Sequence, residues 1–453
     1  MARGVPAQWI SPTWVSVTRE PERMSYPASG LNNSPQQRPI DTPDRVRLRG
    51  RQKTAAARAP RADYCIDLNA PNIYNLYMRI EQRVNNPVHG WQTRRDGLAG
   101  HKPQLVFLFG GRHLLEDGRN MSEVRAMYPG AQVIAVSTAG EITDTEVTED
   151  QLTTVAIAFE KTRITCAATD VSNSSESHAA GKALAQRLLG PELVHVFVVS
   201  DGAKVNGTEL ARGFNETLPA GVVLTGGLAG DGTRFEKTLV GLDEQPTVGR
   251  IVAVAFYGRH LHTAFGSSGG WAPFGPERVV TRSEGNVLHA LDGQSALQLY
   301  KTYLGEHAAK LPGSALRFPL AVTPTNGGNP VVRTILSIDE KSESMTFAGD
   351  IPAGARVRFM RASYEDLIDG AARAASQLPS QTAPELAICI SCVGRRIVLG
   401  QRTEEETEIV RDTLGPATVL TGFYSYGELA PAHNATDCQL HNQTMTITSL
   451  WED

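Results

Sequence analysis

The chain has 453 residues, with 44 basic and 48 acidic side chains, a net charge of −4, 20% charged and 6% aromatic residues. That length predicts two or three domains with a full hydrophobic core, and five cysteines are too few and too scattered for a disulfide scaffold, which points to a reducing compartment. No apolar run approaches the roughly 18 residues of a membrane span and no secretory n-region and h-region open the chain, so membrane protein, collagen and disulfide-rich toxin are excluded.

In chain order, the first expected element is no element. Residues 1–62 hold eleven Lys or Arg against four acids, a net of +7, with eight of the 26 prolines. They lack periodicity, so a disordered basic leader is expected. A basic arm for nucleic acid or acidic lipid, anchored by Trp9 and Trp14, is the functional alternative; a later start at Met24 is another. The remainder carries 33 bases against 44 acids, a net of −11, which argues against nucleic acid as a ligand of the body.

From residue 63 onward apolar runs alternate with helical patterns, the mark of an α/β architecture. One arrangement recurs three times. The first copy runs from Leu105-Val-Phe-Leu-Phe109 through a helix opened by Asn120 and Glu123 to Val133-Ile-Ala-Val136 and the loop Ser137-Thr-Ala-Gly-Glu141. The second runs from Val194-His-Val-Phe-Val-Val199 through a helix opened by Asn206 and Glu209 to Val223-Leu-Thr-Gly226 and Gly227-Leu-Ala-Gly-Asp231. The third runs from Leu386-Ala-Ile-Cys-Ile390 through a helix opened by Thr403 and Glu406 to Val419-Leu-Thr-Gly422 and Phe423-Tyr-Ser-Tyr-Gly-Glu428. Each helix start has the spacing of a capping box. Further strands are expected at Val155–Phe159, Val252–Phe256 and Thr444–Leu450. The copies therefore predict internal duplication.

In open α/β sheets ligands bind beyond the carboxyl ends of strands, where loops of different copies converge. The glycines of these loops, Gly226, Gly227 and Gly422 among them, allow close approach of backbone to ligand. The acids Glu141, Asp231 and Glu428 fall eight, eight and nine residues after the first valine of their strands and can hold an ammonium or hydroxyl. Tyr424, Tyr426, His441, Asn442 and Thr444 add flat apolar walls and directional hydrogen bonds suited to an oriented small ligand. Against that reading stand ordinary turns with solvated acids.

Other candidates are weaker. Gly226-Gly-Leu-Ala-Gly-Asp-Gly232 is neither a P-loop nor a dinucleotide fingerprint. Cys389-x-x-Cys392 with Cys438-x-x-His441 resembles a zinc ligand set, yet residues three apart in a strand point to opposite faces. A hydrolase would use Cys392 or Ser200 as nucleophile with His441 as base, but no nucleophile elbow supports it. His260 and His262 share one face of a strand beside Arg259, which suggests a wetted surface.

Several of these segments resemble one known family. Ser137-Thr-Ala-Gly-Glu-Ile142, Gly226-Gly-Leu-Ala-Gly-Asp231 and Gly270-Trp-Ala-Pro-Phe-Gly275 look like the N-terminal module of the FIST (F-box and intracellular signal transduction) family. Ala296-Leu-Gln-Leu-Tyr300, Ser391-Cys-Val-Gly-Arg-Arg396, Gly422-Phe-Tyr-Ser-Tyr-Gly-Glu428 and His441-Asn-Gln-Thr444 look like its C-terminal module. The resemblance covers roughly residues 95–450. It implies a cytoplasmic bacterial sensory module that binds a small, amino-acid-like ligand, requires no cofactor or catalysis, and signals to a partner kinase or other effector in trans. It also implies haem for some members, which sense nitric oxide and regulate a histidine kinase; His441 is then the candidate iron ligand. One departure is that Ala135-Val-Ser137 stands where the family has Gly-Cys-Ser.

The expected architecture is two interlocked mixed-sheet α/β modules of repeated strand–helix–strand units behind a disordered tail. The tail spans 1–62, the first module 63–293 and the second 294–453, divided after the Asp292-Gly293 turn. The expected ligand site comprises Gly226, Gly227, Asp231, Gly422, Tyr424, Tyr426, Glu428, His441, Asn442 and Thr444.

Overall fold

The computed structural model of the chain describes residues 77–86, 88–311, 313–325, 327–379, 383–432 and 436–453. The expected leader, Trp9, Trp14 and Cys65 lie outside the described residues. The mixed α/β class and the interlocking of the modules are as expected.

The three copies build three six-stranded sheets of one design. In each, the first strand of the copy sits inside the sheet. Leu105–Gly110, Leu193–Ser200 and Leu386–Cys392 pair in parallel with Gln132–Ser137, Val223–Leu228 and Val419–Ser425. On their other side lie, antiparallel, Leu152–Ala158, Arg250–Tyr257 and Met445–Glu452. Beyond these run Arg79–Asn86, Arg163–Asp170 and Leu261–Ser268, which precede the copy in sequence.

The remaining edge of each parallel pair is closed by a strand from another unit. Glu141–Thr143 of the first unit pairs with Val419–Ser425 of the third. Gly427–Pro431 of the third pairs with Val223–Leu228 of the second. Val240–Leu242 of the second pairs with Gln132–Ser137 of the first. Every unit gives one strand and takes one, so the exchange closes into a ring.

The central strands are buried along their whole length, except for half-buried Leu193 and Val194, because one face meets the other sheets and the opposite face meets helices. The shared core joins all three sheets. Phe107 meets Phe197 edge-on at 5.4 Å, and Phe109 lies 5.1 Å from Phe423. Outside, Leu184, Leu210 and Phe214 of helices Ser177–Leu188 and Gly207–Asn215 cover the second sheet. Tyr364–Ser376 and Glu404–Leu414 cover the third.

None of the three helix starts forms the expected capping box; in the second the Asn206 amide donates to Ser177 Oγ and Glu209 pairs with Arg212. Asn206 caps Gly207–Asn215, accepting from the amides of Thr208 and Glu209, as expected. In the first copy the cap is Asp117, and Asn120 lies inside the helix Gly118–Met127. In the third, Thr403 makes no cap bond and Glu406 turns into the protein interior.

Residues 272–361 are inserted into the third unit between the strand Leu261–Ser268 and the helix Tyr364–Ser376. They form an eight-stranded sheet with its own core around Tyr300, Phe347 and Phe359. The Asp292-Gly293 turn joins Val287–Leu291 to Gln294–Ser295 within this insert. Strands from both sides of that turn share three of the four sheets.

Gly226 and Gly422 occupy one position in two units, with φ of +151° and +149°. A Cβ there would stand 1.8 Å from the carbonyl of Val198 or 1.7 Å from that of Cys389. The close approach these glycines permit is therefore to the neighbouring strand, and not to a ligand. Ala135 takes the same place in the first unit, opposite Leu108. Gly422→Ala is expected to lower unfolding free energy by about 3 kcal/mol or more, through clash plus backbone strain. Gly221→Ala, at φ +90° in open space, should lose only about 1 kcal/mol. Urea titration of both variants checks the ranking.

Candidate functional site

The loops that follow the three parallel pairs meet and bond to one another. Gly230 and Gly232 donate their amides to the carbonyls of Ser137 and Thr138, and Ala139 donates to Tyr424. Tyr424 donates back to Gly140, and Tyr426 donates to Leu228. The expected convergence of loops is thus present, but as a closed, buried hub.

Within it the ring explains the acids. Glu141 pairs opposite Phe423, one residue beyond Gly422, and Glu428 opposite Gly227, one residue beyond Gly226. The two glutamates are therefore equivalent. Val240 takes the third such place, opposite Val136, while Asp231 belongs to the longer loop preceding it. The near-equal spacing of the three acids in sequence is not a structural equivalence.

Each acid is already supplied with donors. Glu428 accepts from Ser425 Oγ at 2.8 Å, Thr444 Oγ1 at 2.8 Å and the Thr444 amide at 3.2 Å. Glu141 accepts from Thr138 Oγ1 at 2.5 Å and from Thr148 and Gln151 at 3.3 Å. Asp231 accepts from the amides of Phe235, Glu236 and Lys237 and from the Tyr426 hydroxyl. Tyr426 also stacks on Phe235 at 4.7 Å. Burial raises the carboxyl of Glu428 to about 8 and that of Glu141 to about 7, so Glu428 is held largely neutral at pH 7.

The interior acid the sequence reading missed is Glu406. Its Oε1 accepts from Tyr424 Oη at 2.6 Å and Ser391 Oγ at 2.9 Å, and its Oε2 from Arg395 at 2.7 and 3.0 Å. Arg395 and Glu406 are wholly buried. The remaining Arg395 donors reach the carbonyls of Gly269 at 2.6 Å and Leu367 at 2.8 Å. A capping-box spacing concealed Glu406. The only signal for Arg395 was its place in Ser391-Cys-Val-Gly-Arg-Arg396.

His441 lies opposite Glu428 in the strand pair, its Nε2 3.0 Å from the Ala430 carbonyl, and burial lowers its pKa to about 4. Asn442 donates to the His441 carbonyl, and its Oδ1, like Gln443 Oε1, is buried without a donor among the described residues. The surroundings of His441 do not fit haem ligation: the ring is enclosed and Nε2 is engaged with a backbone carbonyl. Among the described residues no group of His, Cys, Asp and Glu is arranged to hold a metal ion. Burial pushes the Cys392 thiol upward, and the Ser200 hydroxyl donates to the Asp201 carbonyl. Among the described residues neither forms a hydrogen bond with an imidazole.

The hub opens to solvent at its rim. A pocket of about 360 Å³ is lined by Glu149 of the first unit, Thr233 of the second, and Val393, Arg396, Ile397 and Glu404 of the third. Arg396 donates to Glu149 Oε2 at 2.8 Å and to the Ala139 carbonyl at 2.5 Å, and its guanidinium lies 5.8 Å from the Tyr424 ring. Glu404 Oε1 accepts from the Val147 amide. No residue of the expected site lines this pocket.

The FIST N domain matches residues 104–294 of the chain and the FIST C domain residues 296–431. No curated protein matches it.

Two measurements test the buried chemistry. Arg395→Met should lower unfolding free energy by about 3–5 kcal/mol, because Glu406 keeps its burial and loses its counter-charge. Arg395→Met with Glu406→Leu should recover part of that loss. In the second, Glu428 has a folded pKa raised above its unfolded value, so its stabilisation is full at low pH and is lost as pH rises through about 8. His441, with a lowered pKa, is neutral in the folded state, and its unfolded imidazole, half-charged at about pH 6.5, is neutral by about pH 7.5 and offsets only a few tenths of a kcal/mol of that loss. Stability should therefore fall by on the order of 1–2 kcal/mol between about pH 6.5 and 8; Glu428→Gln should remove most of that slope and leave the smaller part that comes from Glu141.

Proposed function

The chain belongs to the FIST family of sensory signal-transduction domains, and from that premise we propose that it binds a small amino-acid-like ligand at the rim of the hub and signals to a partner kinase or other effector. The observation that carries this reading is the composition of the rim pocket. Arg396 can take a carboxylate, Glu149 and Glu404 an ammonium, and Val147, Val393 and Ile397 a short apolar side chain. A zwitterion satisfies all three at once.

Binding has a route inward. A ligand carboxylate competes with Glu149 for Arg396, which also holds the Ala139 carbonyl and lies near the Tyr424 ring. Tyr424 in turn bonds Glu406, so a shift of Arg396 bears on the Arg395–Glu406 pair. In this reading Asp231, Tyr424, Tyr426, Glu428, His441, Asn442 and Thr444 belong to the buried hub behind the pocket, and Tyr424 is its link to Arg396. Gly226, Gly227 and Gly422 shape the strands that carry it. A ligand that prefers one arrangement of these contacts shifts the population presented to the effector. The role is one of binding without catalysis. No helix of the described residues is long and apolar enough to cross a membrane.

A thermal-shift screen of amino acids and their close relatives tests the proposal. One or a few compounds should stabilise the protein, by about 2.7 kcal/mol at a hundredfold excess over the dissociation constant. Arg396→Gln should abolish the shift with the fold intact by circular dichroism. A flat screen at millimolar ligand, or a shift that Arg396→Gln leaves unchanged, overturns it.

A further inference from the structure

The rim pocket holds more acid than base. Glu149 and Glu404 line it against one arginine, Arg396, so its walls carry a net charge of −1, two acids less one base. Glu404 is the acid without a counter-charge. Of the three glutamates in the first turn of Glu404–Leu414, Glu405 pairs with Arg402 and Glu406 with Arg395, while Glu404 forms no ion pair among the described residues. Its Oε1 accepts from the Val147 amide at 3.2 Å, which fixes the side chain against the strand Glu146–Thr148. The arginines that reach this strand and the turn before it are committed, Arg94 to Glu146 and Arg411 to Asp144. Glu149 gives its Oε2 to Arg396 at 2.8 Å, and its Oε1 lies at Gly232, 3.1 Å from where a Cβ would stand. Arg234, also beside Gly232, is exposed and outside the lining, where solvent screens its charge.

A ligand carboxylate on Arg396 enlarges the imbalance. It displaces Glu149, and two protein carboxylates then face the single ammonium of a neutral amino acid. A second cation on the ligand restores the balance. We propose that the rim site selects an amino acid with a cationic side chain, the class of lysine, ornithine and arginine. The α-carboxylate takes Arg396, the α-ammonium takes the released Glu149, and the terminal cation takes Glu404. The methylene stem runs over Val147, Val393 and Ile397, in the place read above as that of a short apolar side chain. Glu404 and Ile397 are exposed, so the terminal cation keeps part of its hydration and avoids the cost of full burial. An acidic side chain is disfavoured by the same geometry, because its carboxylate would face Glu404. This selectivity rests on the reading of the rim pocket as an amino-acid site and adds to it the charge of the side chain.

Calorimetric titration of the full chain with lysine, ornithine, arginine, norleucine and glutamate tests the selectivity, since norleucine copies the stem of lysine without its terminal cation. At least one basic amino acid should bind about fivefold more tightly than norleucine, the effect of one partly exposed charge pair, and glutamate should bind more weakly than norleucine. Glu404→Gln keeps an acceptor for the Val147 amide and removes the charge; it should abolish the basic preference and leave norleucine affinity unchanged. Arg396→Gln should weaken every probe. Norleucine bound as tightly as all three basic probes, glutamate bound more tightly than norleucine, or a preference that Glu404→Gln leaves intact overturns the selectivity and leaves the amino-acid site standing. Absence of binding by every probe at millimolar concentration overturns both.

Discussion

The structure depends on the closing of strand edges. A parallel pair of strands inside each unit leaves a row of unpaired amides and carbonyls along its outer side, an arrangement that in isolation invites aggregation. Here each such row is paired by a short strand donated from a different unit, and the three donations close into a ring. No unit can satisfy its own backbone, so the first and second halves of the chain must fold together. The interlocking is a hydrogen-bond requirement before it is a matter of hydrophobic packing.

The same ring determines what becomes of the loops. In an open doubly wound sheet the loops beyond the strand ends are free to hold a ligand. Here the donated strands begin inside those loops and draw them into mutual backbone contact. Their polar side chains are consequently buried, and each must find a partner within the protein. Glu141 and Glu428 do so with hydroxyls and remain hard to ionise, whereas Glu406 does so with a guanidinium. Chemistry that looks like a binding site in sequence is to a large degree the internal wiring of the hub. The pocket is displaced to the rim of the hub.

That displacement suits a sensor. Exposed pockets built from the edge of a buried polar network can bias the network without opening the core. The short helix Val393–Leu399 is the natural lever, since it begins where a central strand ends and carries adjacent arginines into different surroundings. The insert lies outside the ring, has its own core, and touches the lever through the loop at Gly269.

Much of the plan was legible in the linear chain, for local reasons. Apolar runs of five or six residues and repeated spacings mark units whose strands must be buried on both faces, and this sufficed for the α/β class, the threefold repetition and the motifs of the family. Local spacing could not tell Glu406 as a helix cap from Glu406 as a buried counter-ion, because the choice depends on Arg395, which is brought to it by the turn of another helix. Nor could it separate a glycine placed for a ligand from one placed for Val198 or Cys389 on the adjacent strand. Asp231 looked equivalent to Glu141 and Glu428 by counting residues, and only strand register assigned that position to Val240. What the amino-acid sequence determined by itself is the content of each unit, since periodicity and turn chemistry act within a few residues. What only the tertiary structure decided is which unit completes which sheet and which polar groups are buried, because both depend on contacts between segments hundreds of residues apart.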